Sequence, residues 1–212
     1  MSMVWAPPAW WRRVSLCVAL VALVGLGGCA SFYVDGSTPE VDSAKFSTPA
    51  AKRPVQLLFE FQTKGVANAR ATTALKARVF EQVKASGLFS DVSEIPSADG
   101  ALLSVTLNNV PLSDDAFSKG FVTGLTFGLA GSKVSDGYVC TAKYLGGGDA
   151  PAITTHARHA IHTAIGLTND PSNATKAANI DAAVTAMTRQ VVSNVLYDLS
   201  RDPSFQNAKP TR

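Results

Sequence analysis

The chain has 212 residues, 46% of them hydrophobic, with 19 Lys and Arg against 16 Asp and Glu. That length and apolar fraction suffice for one domain with a real core. So even a charge balance, without a clustered basic helix, excludes the electrostatic footprint of a nucleic-acid binder.

Arg12 and Arg13 precede VSLCVALVALVGL, residues 14–26, which carries no charge. A basic start, a short apolar run and small residues after it form the layout of an export signal. As a helix the run would span about 20 Å, short of the ~30 Å needed to cross a bilayer. Leu26-Gly27-Gly28-Cys29-Ala30-Ser31 follows. This stretch resembles the lipobox of bacterial lipoproteins, with Gly27 standing where Ala or Ser is usual. The resemblance implies cleavage between Gly28 and Cys29, lipid on Cys29, and attachment to the membrane through that lipid. It also implies the outer membrane, because Ala30 and Ser31 stand where an Asp commonly retains such proteins at the inner one. Each buried acyl CH₂ contributes roughly 0.8 kcal/mol, so several chains anchor stably. An ordinary secretory signal with a chance cysteine, or an uncleaved anchor, are the alternatives. The residues after Arg12-Arg13 fit the twin-arginine export motif poorly.

Cleavage there removes residues 1–28 and leaves 17 basic against 16 acidic residues, since Arg12 and Arg13 go with the signal. Cys17 also leaves, and Cys140 then has no partner thiol for an internal disulfide. It is expected to be a small buried hydrophobe. Residues 29–53 contain Gly36-Ser37-Thr38-Pro39 and Ser47-Thr48-Pro49 and read as a tether, with Phe32-Tyr33-Val34 as the exception. Residues 54–202 read as one domain and 203–212 as a polar tail.

Val55, Leu57, Phe59 and Phe61 alternate, which predicts a half-buried strand. Residues 68–86 switch to helical spacing through Ala71, Leu75, Val79 and Val83, and Gly87 is a natural stop. Residues 88–95 predict a short strand, 96–100 a turn, and 102–110 a strand with Leu103, Val105 and Leu107 inward. Two more strands are expected at 138–145 and 152–165, joined by Gly146-Gly147-Gly148-Asp149. Ala177, Ile180, Val184, Met187, Val191 and Val195 then repeat at helical spacing, and Pro203 lies just beyond. The fold class is α+β: a mainly antiparallel sheet with two long helices on one face, in the order β-α-β-β-(apolar insert)-β-β-α. That order resembles the small α/β domains of other envelope lipoproteins and the amino-terminal part of the Tol-system periplasmic protein. The resemblance covers about 150 residues and transfers no functional residue.

His156, His159 and His162 invite a metal reading. The alternation of Ile153, Thr155, Ala157, Ile161 and Ile165 argues for a strand, which buries His159 and turns His156, Arg158 and His162 to the other face. His156 and His162 would then stand about 20 Å apart, too far to share an ion. They are expected to be solvated or at an interface, with no metal. Asp114-Asp115 is an adjacent acid pair, better read as a helix cap than as catalytic carboxylates. No G-x-S-x-G, H-E-x-x-H or C-x-x-C occurs, so common hydrolase, protease and thiol-redox signatures are absent. Gly128 to Lys133 misses the Gly-Lys-Ser/Thr order of a phosphate loop, so no nucleotide and no other cofactor is expected.

The segment 116–131 is the most unusual feature. Gly120, Gly124 and Gly128 recur every fourth residue beside Phe121, Leu125 and Leu129, and no charge interrupts GFVTGLTFGLAG. As a helix it offers a close-approach stripe for core packing or for a membrane or partner contact. Yet each glycine costs roughly 1 kcal/mol relative to alanine, so a loop or hairpin flap is an alternative, as is the wall of a ligand pocket. Gly120, Phe121, Gly124, Phe127 and Gly128 are the candidate contact surface. The expected function is non-enzymatic: an outer-membrane lipoprotein whose periplasm-facing domain binds another envelope protein. A carrier of lipid or a small apolar ligand is the alternative. An enzyme using His156, Arg158 or Asp114-Asp115 is the third reading.

Overall fold

The computed structural model describes residues 30–96, 101–111, 133–148, 151–165 and 173–208. Strand β1 is Ala30–Asp35, β2 is Pro54–Thr63, β3 is Val66–Ala67, and helix α1 is Ala69–Ala85. After these come β4 (Asp91–Ser93), β5 (Leu102–Pro111), β6 (Lys133–Leu145), β7 (Ile153–Ile165) and β8 (Ala174–Ala177). Helix α2 (Ile180–Arg201) and the short α3 (Pro203–Gln206) complete the described chain. The architecture is α+β, with one mixed, mostly antiparallel sheet of eight strands in the order β3-β2-β5-β6-β7-β1-β8 and β4 added beside β2.

Among the described residues, parallel pairing is confined to β2 with β5 and β2 with β4. Both follow from α1, because a chain that leaves the end of one strand must cross back to run parallel to it. Asn68 starts that crossover by accepting the Ala71 N–H at 3.1 Å. Gly87, at φ 68°, ends it in a left-handed conformation that a side chain would resist. One face of α1, Leu75, Val79 and Val83, packs with Val55, Leu57, Phe59 and Phe61 of β2 and Leu103, Val105 and Leu107 of β5 in a continuous core. Met187, Val191, Val195 and Leu199 of α2 extend this core over β6 and β7. Cys140 lies within it.

Three strands depart from the expected order: β1, β3 and β8. Residues 30–35, whose sequence reads as the start of a tether, run antiparallel between β7 and β8, with Tyr33, Val34 and Asp35 buried. Residues 36–53 do not hang free either. They strap across α2: Val41 N–H donates to Ser193 Oγ at 2.9 Å, Asn194 Nδ2 donates to the Pro39 carbonyl at 2.9 Å, and Ser47 N–H donates to Ser200 Oγ at 3.2 Å. The turn residues in this stretch bend the chain over a packed surface rather than releasing it. Helix α2 also begins later than its apolar spacing predicts. Asn179 accepts the Ala182 N–H at 2.8 Å and sets the first turn at Ile180. Ala177 therefore belongs to edge strand β8, and Ile180 is 40% exposed.

Candidate functional site

The two faces of the sheet differ in character. The inward face lies under the helices, and among its polar residues are Thr155, whose hydroxyl donates to the Val195 carbonyl at 2.9 Å, and His159, both on β7. The His159 ring is fully buried, with Nε2 2.6 Å from Gln190 Oε1 on α2 and Nδ1 accepting the Ala160 N–H at 2.9 Å. Gln190 Oε1 has no proton to give, so Nε2 carries a hydrogen, and Nδ1 also lies 3.0 Å from the Ala160 carbonyl oxygen. Burial, the largest influence, holds its pKa below the ordinary histidine value; the contacts to Ala160 and Gln190 oppose that only in part.

The opposite face is mostly polar along β2, β5 and the first half of β7, with Leu58 of β2 an exposed exception. There His156 is exposed, with Nδ1 3.0 Å from the Thr141 hydroxyl on β6. The same face closes over between β6 and β1. Ala160, His162 and Ala164 of β7 and Tyr33 and Asp35 of β1 all point away from the helices, yet each is buried. Tyr33 stands opposite His162 on one side and Lys176 on the other, and the Lys176 ammonium lies 5.9 Å from the Tyr33 ring centre. His162 Nε2 is 3.1 Å from Asp35 Oδ2, with both side chains at 2% exposure or less. Burial pushes the Asp35 carboxyl up. Hydrogen bonds from His162 and from the Ser37 hydroxyl and N–H outweigh it and leave the pKa below the usual value. The expectation for His162, a solvated or interface residue, does not hold. It is an interior residue, bonded to Asp35 of the neighbouring strand β1.

The three histidines therefore separate. His159 serves α2, His162 serves β1 and His156 faces outward. Among the described residues no group of three His, Cys, Asp or Glu side chains converges on a point where an ion could sit. Arg158 is exposed on the same outer face as His156. A groove of about 360 Å³ lies between α1, α2 and the 39–46 strap, lined by Glu40, Asp42, Phe46, Gln82 and Ser193 among others. Glu40 is engaged there by Arg189 of α2, so the groove wall is an ion pair rather than a free carboxylate.

Gly28 and Cys29, the segment 116–131 with Gly120, Phe121, Gly124, Phe127 and Gly128, and Asp114-Asp115 lie outside the described residues. The described strands nonetheless fix where two of these join the sheet. β6 starts with Lys133 opposite Ala164, and β1 starts with Ala30 opposite Ile165. These two strand starts flank the last residues of β7, two strand spacings or about 10 Å apart. β5 leaves toward the same end, with Pro111 opposite Asp136. The chain before Ala30 and the chain between Pro111 and Lys133 thus meet the fold at one end of the sheet. No sequence signal points to this end, because it is created by pairing between strands far apart in the chain. Among the described residues no helix is long and apolar enough to cross a membrane.

No family model matches this chain, and no curated protein matches it. Among solved structures, a PelC dodecamer from Paraburkholderia phytofirmans is similar over 82% of this chain and 99% of that one, with 13% identity and a TM-score of 0.34. That likeness is too distant to carry a site or an activity from one protein to the other.

Proposed function

We propose that this chain is an outer-membrane lipoprotein, cleaved between Gly28 and Cys29 and acylated on Cys29, whose domain binds another envelope protein without catalysing a reaction. The contact is assigned to Gly120, Phe121, Gly124, Phe127 and Gly128 of the 116–131 segment, whose residues 120–131 carry no charge. The observation that carries the reading is the register at the end of β7, where Ala30 and Lys133 flank Ile165 and Ala164. It joins the apolar segment to the fold beside the residue that follows the anchor. A partner seated in or on the same membrane would meet both.

A photo-reactive amino acid placed at Phe127, and another at Ser90 as the control, tests this in cells. A discrete adduct with an envelope protein is expected from position 127 and not from position 90. The same adducts from both positions, or none from 127 and 121 in a folded protein, would count against the reading.

A further inference from the structure

Ala30 is the residue after Cys29, and it is already paired, opposite Ile165. Consecutive Cα atoms lie about 3.8 Å apart. Residues 30–53, were they a flexible tether, would hold the domain off by a root-mean-square reach of roughly 27 Å, from 5–6 Å times the square root of 24. The pairing of β1 with both β7 and β8 removes that reach. Resting on the acylation of Cys29 proposed above, we infer that the domain sits directly on the lipid surface, with the Ala30 end of β1 against the headgroups.

The Ala30 end of the sheet carries a feature that suits this seating. At the Ala30 end, β8 stops at Ala177 opposite Phe32, and three residues later Ile180 opens α2 with its aliphatic side chain 40% exposed. An exposed isoleucine beside the start of β1 is costly in water and well placed at a headgroup boundary. At the far end, β2 begins at Pro54 beside Asp91, and β6 and β7 turn through Gly147 and Gly148 at φ 81° and 59°. Ser90 and Asp91 are exposed there, and Ile95 just after β4 is 72% exposed. The 13 residues of β7 span about 40 Å from one end to the other, so a domain anchored at Ala30 holds Ser90 well clear of the membrane. With no slack in the chain, the anchor sets orientation as well as location.

The lipidated mature protein, purified from membranes, offers few competing thiols: Cys29 is acylated on this account and Cys140 is buried. Nitroxide labels at Ile180→Cys and at Ser90→Cys are read in vesicles of phosphatidylethanolamine and phosphatidylglycerol doped with a nickel-chelating lipid. Nickel at the headgroups is expected to enhance relaxation at position 180 at least threefold over position 90. Asp181→Cys, on an exposed neighbour, replaces Ile180→Cys if that variant folds poorly. Equal enhancement at both ends, or more at position 90, overturns the seating while leaving the anchor intact. An intact mass without acyl chains on Cys29 overturns the anchor and the seating together.

Discussion

Nε2 of His162 lies 3.1 Å from Oδ2 of Asp35, and the bond joins β7 to β1 in a part of the sheet that excludes water from both partners. It is a polar clasp on the strand that follows the anchor residue. Breaking a buried pair from the side that leaves a charge behind is the more expensive way. His162→Ala leaves the buried Asp35 carboxylate with its Ser37 hydrogen bonds but without its β7 partner, and is expected to cost about 3 kcal/mol in denaturant unfolding. Asp35→Asn leaves a neutral amide that still accepts a hydrogen bond and should cost nearer 1–2 kcal/mol. Equal costs for the two would show that Asp35 carries no charge in the folded protein.

The same carboxyl gives an acid limb to stability. Its folded pKa is lowered, so its contribution is complete above the ordinary carboxylate value of about 3.9 and is lost as pH falls through the folded value. Unfolding free energies measured between pH 5 and pH 2 should fall more steeply for the wild-type chain than for Asp35→Asn. Parallel curves would contradict the assignment.

His159 acts at higher pH. A buried neutral ring with a lowered pKa takes up its proton on unfolding before it does so in the folded state. Stability is therefore full above the ordinary histidine value of 6.5 and declines as pH drops below it. His159→Leu, which leaves the partly exposed Gln190 able to reach water, should flatten the curve between pH 7 and pH 5. A variant with the wild-type slope would place that titration elsewhere.

Gly36 closes the corner where β1 meets β8. Its N–H donates to the Asn173 carbonyl at 2.8 Å, and a Cβ there would stand 2.7 Å from Asn173 Oδ1 and 3.1 Å from the same carbonyl oxygen. The amide tip can swing away, but the carbonyl is held by the bond it accepts. Gly36→Ala is expected to lose about 1–3 kcal/mol by overpacking, measured as a shift of the denaturant midpoint at constant slope.

The thiol of Cys140 has no exposed surface, and burial pushes its pKa up to about 12. A thiol so placed presents almost no thiolate at neutral pH. Folded protein should leave it unreacted with a thiol-disulfide reagent over hours, with release on adding denaturant. Prompt reaction in the folded state would show that the sheet opens around β6.

How much of the fold is legible in the sequence depends on how many faces of each strand are buried. β2 and β5 have one face under the helices and the other largely open, so their alternation reads true from Val55 to Phe61 and from Leu103 to Leu107. In β1 both faces are covered: Phe32 and Val34 go to the core, Tyr33 and Asp35 to the opposite side. A six-residue strand buried on both sides shows no period, and the turn residues after it make the whole stretch look like a tether. The same effect hides His162, since alternation tells which way it points but not that this part of the outer face is buried. β3 and β8 are too short, at two and four residues, to leave a pattern. Of the candidate site, the histidine faces are legible. The convergence of chain segments beside Ile165 is not, because it exists only in the register.

Both the envelope contact and the membrane-seated domain depend first on Cys29. Intact-mass measurement of the protein extracted from the outer-membrane fraction tests that residue in one step. The expected result is a chain that begins at Cys29 and carries acyl mass on that residue, with Cys29→Ser accumulating as unprocessed precursor. A mature chain that begins elsewhere, or an unmodified Cys29 in a soluble fraction, would contradict the anchor and the membrane-seated domain built upon it.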